Sequence, residues 1–152
     1  MIWCITFLIG SDMKIYISGK VGEETISEAT RKKFERIQKM LEREGYQVFN
    51  PTSDKHINHL KFSINQRRRF LQYRNVSNYT EILRMDISEL AKCDAIYMLP
   101  DFLDSPGAKA EHAFAIACKK QIFYDDELYR DGTLRSKAYN KNRFPWKLNI
   151  DH

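Results

Sequence analysis

The chain has 152 residues, of which 43% are hydrophobic and 30% are charged. This length suits one domain, and the composition excludes an intrinsically disordered chain. The three cysteines, Cys4, Cys93 and Cys118, contain no C-x-x-C pair and do not suggest a disulfide framework. They indicate reduced thiols in a cytoplasmic protein, and we expect Cys93 and Cys118 to be small buried hydrophobic side chains.

The net charge of +5 is unevenly distributed along the sequence. Residues 55–74 contain two lysines, four arginines and no acidic residue, so the remainder of the chain carries a net charge of −1. We call residues 55–78 the basic insert. Cations interleaved with aromatic residues can bind nucleic acid, but a solvated helix face is the interpretation we favour. We therefore expect no nucleic-acid partner.

Residues 1–12 are mostly apolar, yet they are too few to span a membrane and lack the features of a cleaved signal peptide. We interpret them as an N-terminal extension that adds little to the fold. An extra edge strand or a dimer contact is the alternative. No membrane association is expected.

Strand and helix patterns alternate from residue 13 onward. A short apolar run predicts a first strand over 14–19, and helical spacing predicts a helix over 23–44 that stops at Gly45. Ser105 followed by Pro106 is a strong helix start, and Ala110, Ala113, Phe114 and Ala117 would form the packing face of that helix. The other predicted elements are strands over 46–49, 94–99 and 121–124, and helices over 64–74 and 79–92.

This alternation predicts an α/β fold: a doubly wound, Rossmann-like or flavodoxin-like parallel sheet of four to five strands flanked by helices. We assign residues 13–124 to this domain. Residues 125–152 form a C-terminal tail whose aromatic residues, from Tyr139 to Trp146, are candidates for an oligomer contact or a lid. In such folds ligands bind outside the carboxyl ends of the strands, where the loops over 18–24, 50–54 and 99–107 lie.

Two of these loops contain candidate ligand-binding residues. The turn Ser18-Gly19-Lys20 combines a glycine, which lets a ligand approach the backbone, with a following helix start that favours an anion. It matches neither the dinucleotide-binding motif nor the P-loop motif, and a plain tight turn is an equal alternative. Ser105 and Gly107 open a later helix, where a hydroxyl and free backbone N–H groups can bind an anion or a hydroxyl group.

Two carboxylates are candidates for catalysis. Glu111 lies on an alanine-lined helix at the same edge, and Asp86 lies in the middle of a predicted helix, where aspartate is unfavourable. The structural alternatives are a solvated salt bridge for Glu111 and pairing of Asp86 with Arg84 or Lys92. Two acids that converge on one cleft can carry out glycosidic chemistry, one as the nucleophile and one at the leaving group.

Histidines do not indicate a metal site in this sequence. His56 and His59 are three residues apart and His112 follows Glu111, but a metal would need more ligands converging with the right geometry. We therefore expect neither a metal nor another cofactor.

Four sequence blocks occur in order along the predicted domain: KIYISG, GYQVFNP, RMDISELAKCDAIYMLP and SPGAKAEHAFAIA. Together they resemble the nucleoside 2-deoxyribosyltransferase superfamily, most closely a bacterial and phage branch of it. The resemblance covers about residues 13–124. It implies an N-glycosidic bond enzyme that acts on 2-deoxyribonucleosides or their 5′-monophosphates, by deoxyribosyl transfer or by hydrolysis. It also implies a homo-oligomer, a dimer or larger, that needs no cofactor.

The resemblance implies a role for each matching residue. Glu111 would attack the anomeric carbon, and Asp86 would assist proton transfer to the base or hold the nucleophile. Tyr16 of the first strand would lie near Glu111. Ser105 and Gly107 would hold the 5′ end of the sugar.

The first loop departs from the superfamily pattern, because Lys20 stands where proline is usual. A cation beside a helix start favours a 5′-phosphate, and Ser18 and Gly19 are the neighbouring candidate contacts. One alternative function is a nucleotide-binding or sensing module that has lost turnover. A weaker one is a protein that contacts nucleic acid through the basic insert.

Overall fold

A computed structural model describes residues 12–21, 25–70 and 78–130 of the chain. Residues 1–11, residues 22–24 of the loop after the first strand, residues 71–77 of the basic insert and residues 131–152 of the tail lie outside the described residues. The predictions made for those segments, including the lid or oligomer contact from Tyr139 to Trp146, therefore stay predictions.

Strands and helices alternate along the described chain. The strands are β1 (Lys14–Ser18), β2 (Gln47–Phe49), β3 (Ala95–Met98) and β4 (Gln121–Tyr124). The helices are α1 (Glu28–Arg43), α2 (Asp54–Phe70), α3 (Asn78–Ala91), α4 (Pro106–Ala117) and the short α5 (Asp126–Arg130), with a 3₁₀ turn at Phe102–Asp104. In the described part of the chain, no helix has the length and apolarity to cross a lipid bilayer.

The four strands of the described residues form one all-parallel sheet in the order β2-β1-β3-β4. Tyr16 pairs with Phe49 of β2 on one side and with Ile96 of β3 on the other, so β1 lies inside the sheet. The chain moves from β1 to β2 and then returns past β1 to β3, which reverses the strand order at the carboxyl end of β1. The predicted doubly wound α/β fold is confirmed, and the end of β1 is where such a fold forms its ligand crevice.

Helices cover both faces of the sheet, which explains why the strand sequences are nearly continuous apolar runs. On one face, Ile15 and Ile17 of β1 pack with residues of α1. On the other face, Tyr16 belongs to a second buried cluster that includes residues of α3 and α4. The α1 residues of the first cluster are Phe34, Ile37 and Leu41, and the second cluster includes Leu90, Ala108 and Ala115.

Local capping signals place the helix ends. Ser105 accepts a hydrogen bond from the Ala108 N–H at 3.2 Å, and Pro106 takes the first helical position, as predicted for α4. Gly45 follows α1 with a φ of 92°, a left-handed conformation that glycine adopts without strain. The start of α1 differs from the prediction, because the Ser27 side chain caps the helix at Glu28 rather than near residue 23.

Helix α2 is the largest difference from the predicted elements. It begins at Asp54, although the sequence pattern predicted a helix only over 64–74. The Asn50 side chain accepts the Thr52 N–H at 2.8 Å, and Ser53 accepts the His56 N–H at 3.3 Å, so side chains of the β2–α2 loop start the helix. Most side chains of α2 are polar, which left no clear apolar period to detect.

Burial corrects several smaller predictions. Cys93 is buried as predicted, but Cys118 is exposed because it follows the last turn of α4. Ala113 and Ala117 are exposed as well. The face of α4 that packs on the sheet is rotated from the predicted one and consists of Ala108, Glu111 and Ala115.

Candidate active site

Glu111 is the centre of a buried cluster at the carboxyl edge of the sheet. It lies in the second turn of α4, and only 7% of its surface is exposed. The Tyr16 hydroxyl donates to its Oε1 at 3.0 Å, and the Ser18 hydroxyl donates to its Oε2 at 2.5 Å. Tyr16 and Ser18 are two positions apart on β1, so both point to the same face of the sheet. Each carboxylate oxygen therefore has its own hydroxyl donor.

Small residues let the Glu111 side chain reach the sheet. Ala108 and Ala115 lie three positions before it and four after it, on the same face of α4, and both are buried. Because neither has a long side chain, the backbone of α4 packs close to the strands. Glu111 is the single long side chain of this buried face, and it projects onto β1.

The surroundings of Glu111 raise the pKa of its carboxyl to about 8, against an ordinary value of 4.5. Burial is the main cause, because removal from water disfavours the charged form. The charge of Asp86 raises the pKa further, whereas the hydrogen bonds from Ser18 and Tyr16 lower it. At pH 7 the free protein thus holds a proton on this carboxyl for most of the time.

Asp86 is the second acid of the site and is bonded to a histidine. Its Oδ1 lies 2.7 Å from Nε2 of His56, which projects from the first turn of α2 and is 4% exposed. Burial raises the pKa of the Asp86 carboxyl, while the hydrogen bond and charge of His56 oppose that rise. Asp86 lies close enough to Glu111 and Tyr16 that its charge raises the pKa of both.

Aromatic rings connect the two acids. Tyr16 stacks on Phe49 of β2 at 5.3 Å between ring centroids, and Phe49 meets the edge of the His56 ring at 4.9 Å. Burial, followed by the charges of Glu111 and Asp86, raises the pKa of Tyr16 well above its ordinary value. The Tyr16 phenol therefore stays protonated and remains a hydrogen-bond donor at every physiological pH.

The loop after β1 is held mainly by its backbone. A Cβ added to Gly19 would lie 2.5 Å from Cδ1 of Leu99, so glycine is required there for close packing between the ends of β1 and β3. The Lys20 N–H donates to Asp101 Oδ1 at 3.0 Å, while the Lys20 side chain is exposed. The loop thus fixes the ends of the strands and leaves one cation at the surface.

The start of α4 presents polar groups at the same edge. Pro106 has no N–H, and the Ala108 N–H is used by Ser105, so Gly107 supplies the remaining N–H of the first residues. A Cβ added to Gly107 would lie 3.0 Å from the Tyr79 hydroxyl, which reaches over this turn from α3. The Gly107 amide and the Ser105 and Tyr79 hydroxyls can together contact a small polar group.

Residues 13–124 match the family model described as "Domain of unknown function (DUF4406)". The chain belongs to this family. No curated protein matches it. The match with the DUF4406 model spans β1 to β4 and includes every residue of the cluster around Glu111 and Asp86.

Most residues of this cluster in the DUF4406 domain are also candidates from the sequence. The structure brings Tyr16, Ser18 and Glu111 into direct contact and places Asp86 beside them. Of the other predicted residues, Gly19 and Lys20 lie in the loop after β1, Ser105 caps α4, and Gly107 lies in the first turn of α4.

The sequence gives no functional signal for several residues around the site, among them Tyr79. It indicates His56 only as one of the histidines of a rejected metal site, and no motif points to Lys33 or Asp101. A usable signal for His56 was its place in the segment that follows β2, near the edge where parallel strands end. No three His, Cys, Asp or Glu side chains within the described ranges could hold a metal ion together; His56 is bonded to Asp86, and His59 is exposed.

Proposed function

We propose that this protein breaks the N-glycosidic bond of 2-deoxyribonucleosides or their 5′-monophosphates, with Glu111 as the nucleophile. The observation that carries the proposal is the buried Glu111 carboxylate, bound by the Tyr16 and Ser18 hydroxyls and accompanied by a second acid, Asp86. Two acids that lie close together and away from water suit displacement at an anomeric carbon. The resemblance to nucleoside 2-deoxyribosyltransferases supports the same chemistry.

In the first step, an oxygen of the Glu111 carboxylate attacks C1′ of the deoxyribose. A C1′–O bond forms, and the bond between C1′ and the base nitrogen breaks with its electron pair moving to the base. Asp86, in its protonated form, gives the departing base a proton. The reactive state of the Glu111–Asp86 pair therefore carries one proton, which sits on Asp86 while Glu111 attacks.

In the second step, the ester between Glu111 and the sugar is opened at C1′. A second base takes the sugar in a transfer reaction, and water takes it in hydrolysis. The attacking base or water gives its proton to Asp86, and Glu111 leaves as the carboxylate. Tyr16 and Ser18 stabilise that carboxylate by donating to both of its oxygens.

His56 is the residue that holds Asp86 in this scheme. Its Nε2 lies 2.7 Å from Oδ1, and among the described residues no hydrogen-bond partner is seen for Oδ2 of Asp86. The second oxygen is the one available to exchange a proton with a base. In other protein sites, too, a buried neighbour fixes the orientation of a functional side chain.

The start of α4 supports a sugar 5′ group as the neighbouring contact. Ser105 and Gly107 offer a hydroxyl and one N–H, which suffice for a 5′-hydroxyl or for part of a 5′-phosphate. The exposed Lys20 ammonium is the candidate that would add affinity for the phosphate. The free thiols of Cys93 and Cys118 support a cytoplasmic location for this reaction.

Product analysis by chromatography tests the proposal. Purified protein is incubated with deoxynucleosides and deoxynucleoside monophosphates, with and without a second free base. We expect base release or base exchange that is lost in Glu111→Gln and kept in Glu35→Gln, an exposed position of α1. Dependence on the added base identifies a transferase, and release without it identifies a hydrolase.

Tight binding without turnover would contradict the nucleophile assignment. That outcome would favour the alternative of a nucleotide-binding module, in which Glu111 serves only as a hydrogen-bond acceptor. Calorimetry with the same nucleosides and monophosphates distinguishes this outcome from a protein that binds none of them.

A further inference from the structure

Two charged side chains hold the loop after β1 from outside the site. Asp101, which follows β3, accepts the Lys20 N–H on Oδ1 at 3.0 Å and the Lys33 ammonium on Oδ2 at 2.6 Å. The Lys33 ammonium, from α1, also donates to the Lys20 carbonyl at 2.8 Å. We call the closed set formed by the Lys20 backbone, Lys33 and Asp101 the loop clasp.

The clasp differs from an ordinary surface ion pair, which contributes little to stability. The Lys33 and Asp101 side chains are only 28% and 30% exposed. Asp101 also accepts the Lys20 N–H, and Lys33 also donates to the Lys20 C=O. Both backbone groups of Lys20 are therefore fixed. The pair therefore determines the path of the main chain rather than only joining two side chains.

Packing next to the clasp restricts the loop further. Gly19 lies against Leu99, since a Cβ at Gly19 would come within 2.5 Å of its side chain and 3.1 Å of Asp101 Oδ1. The Leu99 N–H donates to the Ser18 carbonyl at 2.8 Å. From Ser18 to Lys20, consecutive residues are thus held against the chain that follows β3.

This loop begins at the residue that binds Glu111. The Ser18 hydroxyl donates to Glu111 Oε2, and the clasp holds the chain two residues further on. We propose that Asp101 and Lys33 are positioning residues that keep the Ser18 hydroxyl on the Glu111 carboxylate. The inference rests on the proposed function for its catalytic meaning, but the contact that it concerns can be measured without turnover.

Loss of the Ser18 contact has a defined electrostatic consequence. The groups that face Glu111 are Tyr16 and Ser18 from β1 and Asp86 from α3, which is itself bonded to His56 of α2. The Ser18 hydrogen bond lowers the pKa of Glu111, so a loop that moves away lets that pKa rise. His112, the neighbour of Glu111 on α4, is engaged with the Tyr124 hydroxyl at 2.8 Å.

Carbon-13 NMR titration of glutamate-labelled protein measures this effect directly. The Glu111 signal is identified by its absence from Glu111→Gln. We expect the Glu111 pKa to rise by on the order of one unit in Lys33→Met and in Asp101→Ala, and in the same direction in Ser18→Ala. Two matched controls, Lys32→Met on α1 and Asp104→Ala in the β3–α4 loop, remove exposed charges and should titrate as the wild type.

Wild-type titration in both clasp variants would overturn the inference, whatever the result for Ser18→Ala. If Asp101→Ala does not fold, the Glu111 titration in Lys33→Met tests the inference by itself. This variant removes the cation and leaves Asp101 on the Lys20 N–H. A wild type without turnover would contradict the proposed function only, since the titration of Glu111 still decides the role of the clasp. In a wild type with turnover, the clasp variants should move the alkaline limb of kcat/KM upward by the same amount.

Discussion

Tyr16 and Glu111 are 95 positions apart in the chain, and the phenol of the first donates to the carboxylate of the second at 3.0 Å. The tyrosine is fully buried, and its pKa is raised, so it gives Glu111 a hydroxyl donor that cannot become an anion near neutral pH. A buried carboxyl group with such a donor can gain or lose its proton while the hydrogen bond from the phenol remains available. Four predictions follow from that arrangement and from the packing around it.

The pH dependence of kcat/KM should be bell-shaped. The proposed mechanism requires one proton on the Glu111–Asp86 pair, so activity should fall when the pair gains a second proton and when it loses the last one. The pKa of Glu111, about 8, sets the alkaline limb, above which the rate should fall about tenfold per pH unit. Initial rates from pH 5 to pH 10 measure the profile, and a rate that still rises beyond pH 9 would contradict the one-proton requirement.

Replacement of Glu111 should change how stability depends on pH. The Glu111 pKa is about 8 in the folded protein against 4.5 for an ordinary glutamate, so its contribution to stability is fully present below pH 4.5 and is lost as the pH rises to 8. The amide introduced by Glu111→Gln does not titrate. The free energy of unfolding of this variant, relative to that of the wild type, should therefore rise by on the order of 3 kcal/mol between pH 5 and pH 8.

Urea unfolding at several pH values gives this difference. Glu35→Gln is the control for loss of an exposed carboxylate on α1. If the difference in free energy of unfolding between Glu111→Gln and the wild type stays constant with pH, the Glu111 carboxyl titrates normally in the folded protein.

His56→Ala should narrow the pH range over which kcat/KM is high, by moving its acid limb. The His56 hydrogen bond lowers the pKa of Asp86, so its removal lets that pKa rise, and the acid limb moves to higher pH. The rate at the optimum should fall by about tenfold to a hundredfold, as is typical when a residue that orients a reacting group is lost. His56→Gln, which keeps an N–H donor, should recover part of the rate.

His59→Ala is the matched control for this experiment, because His59 lies three residues further along α2 and is exposed. Equal losses in the two alanine variants would mean that the effect comes from helix stability rather than from Asp86.

Glycine should be required at position 19 but not at position 107. A Cβ at Gly19 would lie 2.5 Å from Cδ1 and 2.8 Å from Cβ of Leu99, which is fully buried. Gly19→Ala should therefore cost about 1–3 kcal/mol, as overpacking of a core does. A Cβ at Gly107 would meet the hydroxyl of Tyr79, a 54% exposed side chain that can move aside. The urea unfolding midpoints of Gly19→Ala and Gly107→Ala give the comparison. Equal losses of stability in the two variants would contradict the prediction.

The strands and α4 could be predicted because their signals are local. Apolar runs that end in Gly19 or Asn50 indicate strands, and Ser105 with Pro106 fixes a helix start without reference to the rest of the chain. The placement of Tyr16 near Glu111 came from resemblance rather than from spacing. Sequence spacing alone left Glu111 undecided between a surface ion pair and the site.

The missed residues depend on contacts between distant parts of the chain. His56 matters because α2 places it on Asp86, and the mostly polar sequence of α2 has no clear apolar period that would predict the helix. Lys33 and Asp101 act on the backbone of Lys20 from two other elements, and no pattern along a single segment encodes such a contact. The exposed Cys118 was mispredicted because α4 ends one residue before it.

The parallel order of the sheet also bears on how the protein folds. The neighbours of β1 are β2 and β3, and each is reached only after a helical crossover, so no two of the four described strands can pair early as a hairpin. Sheets built from such distant pairings close slowly. Ser18 is joined to β3, and Glu111 lies on the helix after β3, so a nascent chain that ends before α4 lacks the Glu111 carboxyl altogether. Glu111 is therefore buried only after β1, β3 and α4 have come together, and on the proposed function no partly folded form is expected to turn over substrate.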